Sequence, residues 1–169
     1  LTPDVIMASA CLPFLYQAVS IEGQDYWDGG YSGNPPLHPF AYRCTAPDVI
    51  IVQINPLGCQ ETPNSAREIL NRINEITFNA NLLSELRAIE FVGRMLEEGS
   101  LDPTRYKKML IHAISAENGF KDLNASSKLN AEWDFLVHLN AVGRNVADQW
   151  LETNVDALGH YSTLDIHAL

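Results

Sequence analysis

Residues 26–37 read Tyr-Trp-Asp-Gly-Gly-Tyr-Ser-Gly-Asn-Pro-Pro-Leu: an acid, two glycines, a serine and a proline-rich run. Asp-Gly is a favoured corner of a two-residue hairpin turn, so Asp28-Gly29-Gly30 has a purely geometric reading. A hairpin needs a second strand after its corner, and the prolines that follow remove ladder donors. Asp28 is therefore expected where a strand ends and a long loop begins, which is where sites collect in open α/β sheets. Gly29 and Gly30 would let the backbone take positive φ and leave no Cβ in the way of a close neighbour. A carboxylate on such a mount can accept a proton from a nucleophile arriving on another loop, or orient it. Excluding water strengthens it as a base.

The nucleophile is harder to find. Gly30-Tyr31-Ser32-Gly33-Asn34 approaches the G-x-S-x-G elbow, but the second glycine directly follows the serine and the prolines forbid the helix. Ser32 therefore reads as a loop serine. Ser9, Ser20, Ser65, Ser84 and Ser115 lack an elbow, and Ser126-Ser127 precede Lys-Leu-Asn without glycines. No glycine-rich run suits an oxyanion hole. His38, His112, His138, His160 and His167 are dispersed, with no H-x-x-x-H pair, so neither a metal nor another cofactor is expected. His138 is expected at the surface, while His38 and His160 are the loose candidates for a Ser-Asp-His triad. Alternation along the strand sets Trp27 opposite Asp28, which favours core packing over an acyl-chain pocket.

The elements that must position these residues follow from capping and periodicity. Thr2, Pro3 and Asp4 open a helix that should run to about Ala10 and stop before Pro13. "QAVSIEG" and "QDYWD" predict two short strands joined tightly at Gly23-Gln24. From Gly29 to about Asp48, Pro35, Pro36, Pro39 and Pro47 predict no regular structure. Val49–Val52 is an apolar, β-branched run, predicted to be a strand buried on both faces. From Ser65 to Glu98, Ile69, Leu70, Ile73 and Ile76 share a helical face that continues through Leu82, Leu83, Leu86 and Ile89 to Met95. That stripe is expected to pack on a sheet, with a break near Thr77–Asn79 left open. "KKMLIHAIS" predicts a further strand, and a polar stretch, 116–130, precedes a helix from Trp133 that should end at Gly143. A second helix restarts at Arg144. Strands separated by helices predict α/β architecture. Three or four strands are fewer than the roughly five of a typical sheet, so the strand at Asp48–Ile54 lacks neighbours.

The chain has 169 residues, the size of one domain or part of a larger one, and 46% hydrophobic content supports a core. A net charge of −10 excludes phosphate neutralisation and hence a nucleic-acid partner. It also disfavours permanent docking on anionic lipid, while brief apolar contact stays allowed. No apolar run approaches the ~20 residues of a membrane span. Cys11, Cys44 and Cys59 match no zinc or redox spacing; a reducing compartment is the simplest expectation, with one disulfide still allowed. The chain starts at Leu1 without a positively charged lead, which fits both a mature product and a piece of a longer protein.

Ala8-Ser9 with Pro13, then Asp28-Gly29-Gly30, then Asn34-Pro35, followed by "VIIVQINPL", form an ordered series. It resembles the second half of a patatin-like phospholipase. "INEITFNANLLSELRAIEFV" and "SSKLNAEWDFLVHL" also resemble bacterial members, so the likeness spans nearly the whole chain. The resemblance implies part of a three-layer sheet-and-helix fold and hydrolysis of lipid acyl esters by a Ser-Asp dyad without a histidine. By that likeness Asp28 is the dyad acid, with Gly29, Gly30 and Asn34 shaping the loop beside it. The G-x-S-x-G serine and the oxyanion loop would lie upstream, so the missing N-terminal half of the same protein is the first partner expected. The others follow from the same likeness: a lipid ester at a membrane or micelle surface, no cofactor, and a cytoplasmic location with peripheral membrane contact. Residues 1–169 are then the C-terminal half of a single acyl hydrolase domain, inactive alone. The rival is a non-catalytic lipid- or protein-binding module in which Asp28 only shapes a loop.

Overall fold

The structure, a computed structural model, describes residues 1–13, 15–54, 57, 62–115, 127 and 130–169. Helix α1, Pro3–Ala8, begins as its sequence dictates, with the Thr2 hydroxyl accepting from Val5 N and Pro3 in the first turn. Strands β1 (Val19–Ile21) and β2 (Gln24–Tyr26) form an antiparallel hairpin in the register Val19↔Tyr26 to Ile21↔Gln24. Its two-residue turn is Glu22-Gly23, both at positive φ (52° and 80°), the twist that suits paired strands.

The second unit is a parallel β-α-β. Strand β3 (Asp48–Gln53) leads through helix α3 (Ala66–Glu97) to β4 (Leu110–Ser115), paired from Asp48↔Leu110 to Gln53↔Ser115. A capping box starts α3: the Ser65 hydroxyl accepts from Glu68 N, and the Glu68 carboxylate accepts from Ser65 N. Leu82 and Leu86 from α3 pack against Ile51, Met109, Ile111 and Leu37, and these six form the buried core. The chain closes with helix α4, Trp133–Asn154, and two short 3-10 turns, Val155–Ala157 and Ile166–Ala168. The architecture is α/β, with two small open sheets, β1-β2 and β3-β4, among helices. Among the described residues no helix is long and apolar enough to cross a membrane.

Several expectations are corrected. The loop after Asp28 is not irregular throughout: Gly29–Tyr31 makes a 3-10 turn and His38–Arg43 makes helix α2. Pro39 falls in the first turn of α2, where a missing N–H costs nothing. The ends of α2 are satisfied from far away in sequence. The Glu85 carboxylate accepts from the Leu37 and His38 N–H groups, and Lys107 Nζ donates to the carbonyls of Phe40, Cys44 and Ala46 at 2.7–3.0 Å.

Strand β3 is buried on one face only; Ile51 is in the core, while Ile50 and Val52 are 43% and 71% exposed. The first half of the α3 stripe is likewise uncovered, with Ile69, Leu70, Ile73 and Ile76 all exposed. Length explains this: 32 residues of helix span ~48 Å, whereas six-residue strands reach only ~20 Å. No break occurs at Thr77–Asn79; the Thr77 hydroxyl donates to Ile73 O, so its polar group finds a partner without leaving the helix. Helix α4 runs straight through Gly143. A single glycine costs ~1 kcal/mol, too little to end a 22-residue helix. Residues 116–126, 128 and 129 of the polar stretch lie outside the described residues, as does Cys59. Cys11 and Cys44 are free thiols.

Candidate active site

Asp28 sits two residues past the end of β2, at the strand-to-loop junction its sequence predicts. Its N–H donates to Cys11 O at 2.9 Å, which ties the junction to the segment after α1. Its carboxylate Oδ1 accepts from Gly30 N at 2.8 Å and caps the Gly29–Tyr31 turn. Among the described residues no group bonds Oδ2. The side chain is half-buried, so the free oxygen stays within reach of an incoming group.

The glycines meet one half of the expectation and fail the other. Neither Gly29 nor Gly30 has positive φ. What Gly30 provides is space: a Cβ there would lie 3.2 Å from Asp28 Oδ1 and 3.3 Å from Phe78 Cε1. Gly29 faces nothing within 4 Å. Asn34 is half-buried on the same loop, at a cis peptide bond to Pro35.

Helix α3 holds this loop along one face, through residues at helical spacing. Phe78 packs on Tyr31 with ring centroids 5.1 Å apart, Asn81 Nδ2 donates to Ser32 O at 2.9 Å, and Glu85 takes the Leu37 and His38 N–H groups. Leu37 itself is 1% exposed and anchors the loop in the core, a burial worth about 1.5–3 kcal/mol. Sequence reading missed the loop-holding role of Phe78, Asn81 and Glu85. Their i, i+3, i+7 spacing was legible, but their targets 40–50 residues upstream were not.

The remaining candidates are scattered. Ser32 is exposed and closes the 3-10 turn. Trp27 is not a core residue: it is 52% exposed and donates its indole N–H to Tyr16 O at 3.2 Å. The lone ring bond satisfies its polar end and leaves its face to solvent. His38 is exposed, 3.6 Å from Glu85, and His167 lies 3.6 Å from Glu90. His138 and His160 are exposed. Two surface recesses, one lined by Leu96, Pro103, Tyr106 and Lys108 and one by His38, Pro39, Tyr42 and Arg43, do not include Asp28. No group of three or more His, Cys, Asp or Glu side chains among the described residues is arranged to hold a metal ion.

His112 is the unexpected residue. It lies at the centre of β4, fully buried, between Asp48 Oδ1 at 3.1 Å and Thr163 Oγ1 at 3.0 Å. Trp150 meets its ring edge-on at 5.9 Å. Asp48 Oδ1 also accepts from Gly159 N at 2.8 Å, and that backbone N–H, with His112 beside it, holds the carboxyl below its ordinary range. Asp, His and Thr thus form a bonded chain, but it fastens the C-terminal segment to the sheet and lies apart from the contacts that hold Asp28.

Comparison with known proteins gives a family match over the N-terminal part of the chain. A family model described as patatin-like phospholipase covers residues 2–41. That span takes in α1, the β1-β2 hairpin, Asp28, Gly29, Gly30 and Asn34, and ends within α2. No curated protein and no solved structure matches the chain.

Proposed function

We propose that residues 1–169 are the C-terminal half of a single patatin-like acyl hydrolase domain, part of a three-layer sheet-and-helix fold, which cleaves carboxylic esters of lipids. The observation that carries this reading is the coincidence of the family match with the mount of Asp28. The 40 matched residues contain an acid with one oxygen fixed by Gly30 N and the other unbonded among the described residues.

Asp28 is the acid of a Ser-Asp dyad whose serine belongs to a segment outside residues 1–169. The serine hydroxyl adds to the ester carbonyl while its proton passes to the Asp28 carboxylate. The C–O bond to the leaving alcohol breaks, the alcohol takes that proton, and an acyl-enzyme remains. Water, deprotonated by Asp28, then adds to the acyl group; the bond to the serine oxygen breaks, Asp28 returns the proton to that oxygen, and the fatty acid leaves. Backbone N–H donors for the oxyanion also come from outside this chain, each typically worth ~10²–10³ in rate. Contact with a membrane or micelle surface is supported by Ile6, Met7, Leu15, Tyr16 and Trp27. All are exposed on the N-terminal unit that carries Asp28.

A second reading has its own observation. The bond from Gly30 N to Asp28 Oδ1 is a loop-shaping contact, which suffices for a non-catalytic binding module. Asp28→Asn separates the two, because an amide oxygen still accepts from Gly30 N but is no base. In the complete gene product we expect ester hydrolysis to fall ~10²–10⁴-fold with an unchanged melting temperature. Retained hydrolysis would demote Asp28 to a turn residue. Residues 1–169 alone are expected to show no turnover and no labelling by a fluorophosphonate; labelling at Ser32 would overturn the dyad assignment.

A further inference from the structure

Strand β3 has an edge that nothing described covers. In a parallel pair the main-chain groups of alternate residues point to one neighbour and then to the other. The bond from Leu110 N to Pro47 O sets the phase in the register Asp48↔Leu110. Residues 47, 49, 51 and 53 of the β3 strand line therefore face β4, and Asp48, Ile50 and Val52 present their N–H and C=O groups outward. The same phase turns Ile111 outward on β4. There Ile111 N donates to Ser162 Oγ at 3.0 Å, and Ile111 O accepts from Thr163 N and Leu164 N at 3.1 Å. The C-terminal segment thus caps the outer edge of β4 at Ile111. No described residue bonds the outward groups of Ile50 and Val52.

The adjoining face is uncovered too. Ile50, Val52 and Ile54 alternate onto one side and are 43%, 71% and 65% exposed. Parallel sheets are covered on both faces, and a flat apolar edge strand invites pairing. The whole surface points the same way. The chain exposes 12249 Å², against about 8,300 Å² for a compact protein of 18.8 kDa, an excess of about 3,900 Å². Permanent partners bury about 2,000–5,000 Å² counted over both sides, so an excess of this size on one side alone is beyond what a transient contact would cover.

We propose that the outer edge of β3 is a strand-addition surface. A β-strand from a polypeptide segment outside residues 1–169 pairs with Ile50 and Val52, and the element attached to it covers Ile50, Val52 and Ile54. A strand is the occupant because its main chain repeats at the spacing of the outward groups. A second copy is a poor occupant: each copy carries −10 charges, and a six-residue edge paired with itself buries only a fraction of the excess area. The inference rests on β3 and the surface area, not on Asp28.

The test is residue-resolved hydrogen exchange on the complete gene product containing residues 1–169, with light scattering to fix its oligomeric state. The expected result is a monomer in which the Ile50 and Val52 amides exchange within tenfold of the inward Val49 and Ile51 amides. Nuclear Overhauser contacts from Val52 should lead to a strand outside residues 1–169. Exchange of the outward pair 100-fold faster than the inward pair would overturn the inference. So would contacts leading to another segment of residues 1–169, or protection that appears only in a dimer and is lost on dilution. Hydrolysis by the Asp28→Asn variant is independent of all these outcomes, so the two proposals fail separately.

Discussion

Asp28 and His112 differ in how their surroundings hold them. Asp28 is held by one local bond and keeps an oxygen free of described partners, whereas His112 is bonded through both ring nitrogens and sealed from solvent. The first arrangement suits a group that meets a substrate; the second suits a fastener. Close approach at Gly30 gives a sharp residue-scale prediction. Gly30→Ala should lose about 1–3 kcal/mol in urea unfolding, since its Cβ would crowd both the Asp28 carboxylate and Phe78. Gly29→Ala, with open space and no positive φ, should gain up to about 1 kcal/mol. The position of Asp28 was legible because a strand, an acid and a run of prolines are adjacent in sequence. That Gly30 leaves room for a close neighbour was legible, but not which neighbour, because Phe78 is 48 residues away. The burial of His112 was invisible for the same reason: its partners stand at 48 and 163.

Elements whose signals are local came through the sequence well. The Thr2 cap marked the start of α1, the apolar stripe from Ser65 marked α3, and two short runs joined tightly marked the hairpin. Helix α2 was missed because its ends are satisfied by Glu85 and Lys107, charges of opposite sign on other parts of the chain, placed to complement the helix dipole. A capping partner 47 residues off leaves no mark on the segment it caps. In α4 the error ran the other way, with a glycine taken for a terminus. Gly143 is exposed with nothing within 4 Å of an added Cβ, so Gly143→Ala should raise stability by about 0.5–1 kcal/mol. A shifted urea midpoint at constant slope would confirm it. An unchanged or lowered midpoint would show that α4 tolerates the glycine for some reason of packing.

Across the whole molecule, the Asp48–His112–Thr163 chain and the Gly159 N–H join the start of β3, the middle of β4 and the C-terminal segment. This gives a pH prediction with a definite sign. The Asp48 carboxyl is held below its ordinary value of 3.8, so its contribution to stability is complete above that pH and is lost as pH falls through the lower, folded value. Melting temperature measured from pH 5 down to pH 2 should therefore fall, and Asp48→Asn should flatten that limb. The flattening should be partial, because Glu97, beside Lys108, and Asp102, bonded by Thr104, shift in the same direction. An identical acid limb in the variant would remove Asp48 from the account. At this scale sequence periodicity predicted α/β and a shortage of strands. It could not say which face would stay bare, since burial depends on neighbours that pattern alone does not supply.

One consequence of the α3 contacts concerns inheritance. Asn81 grips the carbonyl of Ser32, and Glu85 grips the N–H groups of Leu37 and His38. All three gripped groups belong to the main chain, which every residue except proline carries in full. The loop after Asp28 is thus free to change its side chains at Ser32 and His38 over generations while its path in space stays the same, whereas Leu37 is kept by the core it fills. The helix is not so free, because losing the Asn81 amide or the Glu85 carboxylate would leave those main-chain groups without the partner that fixes them.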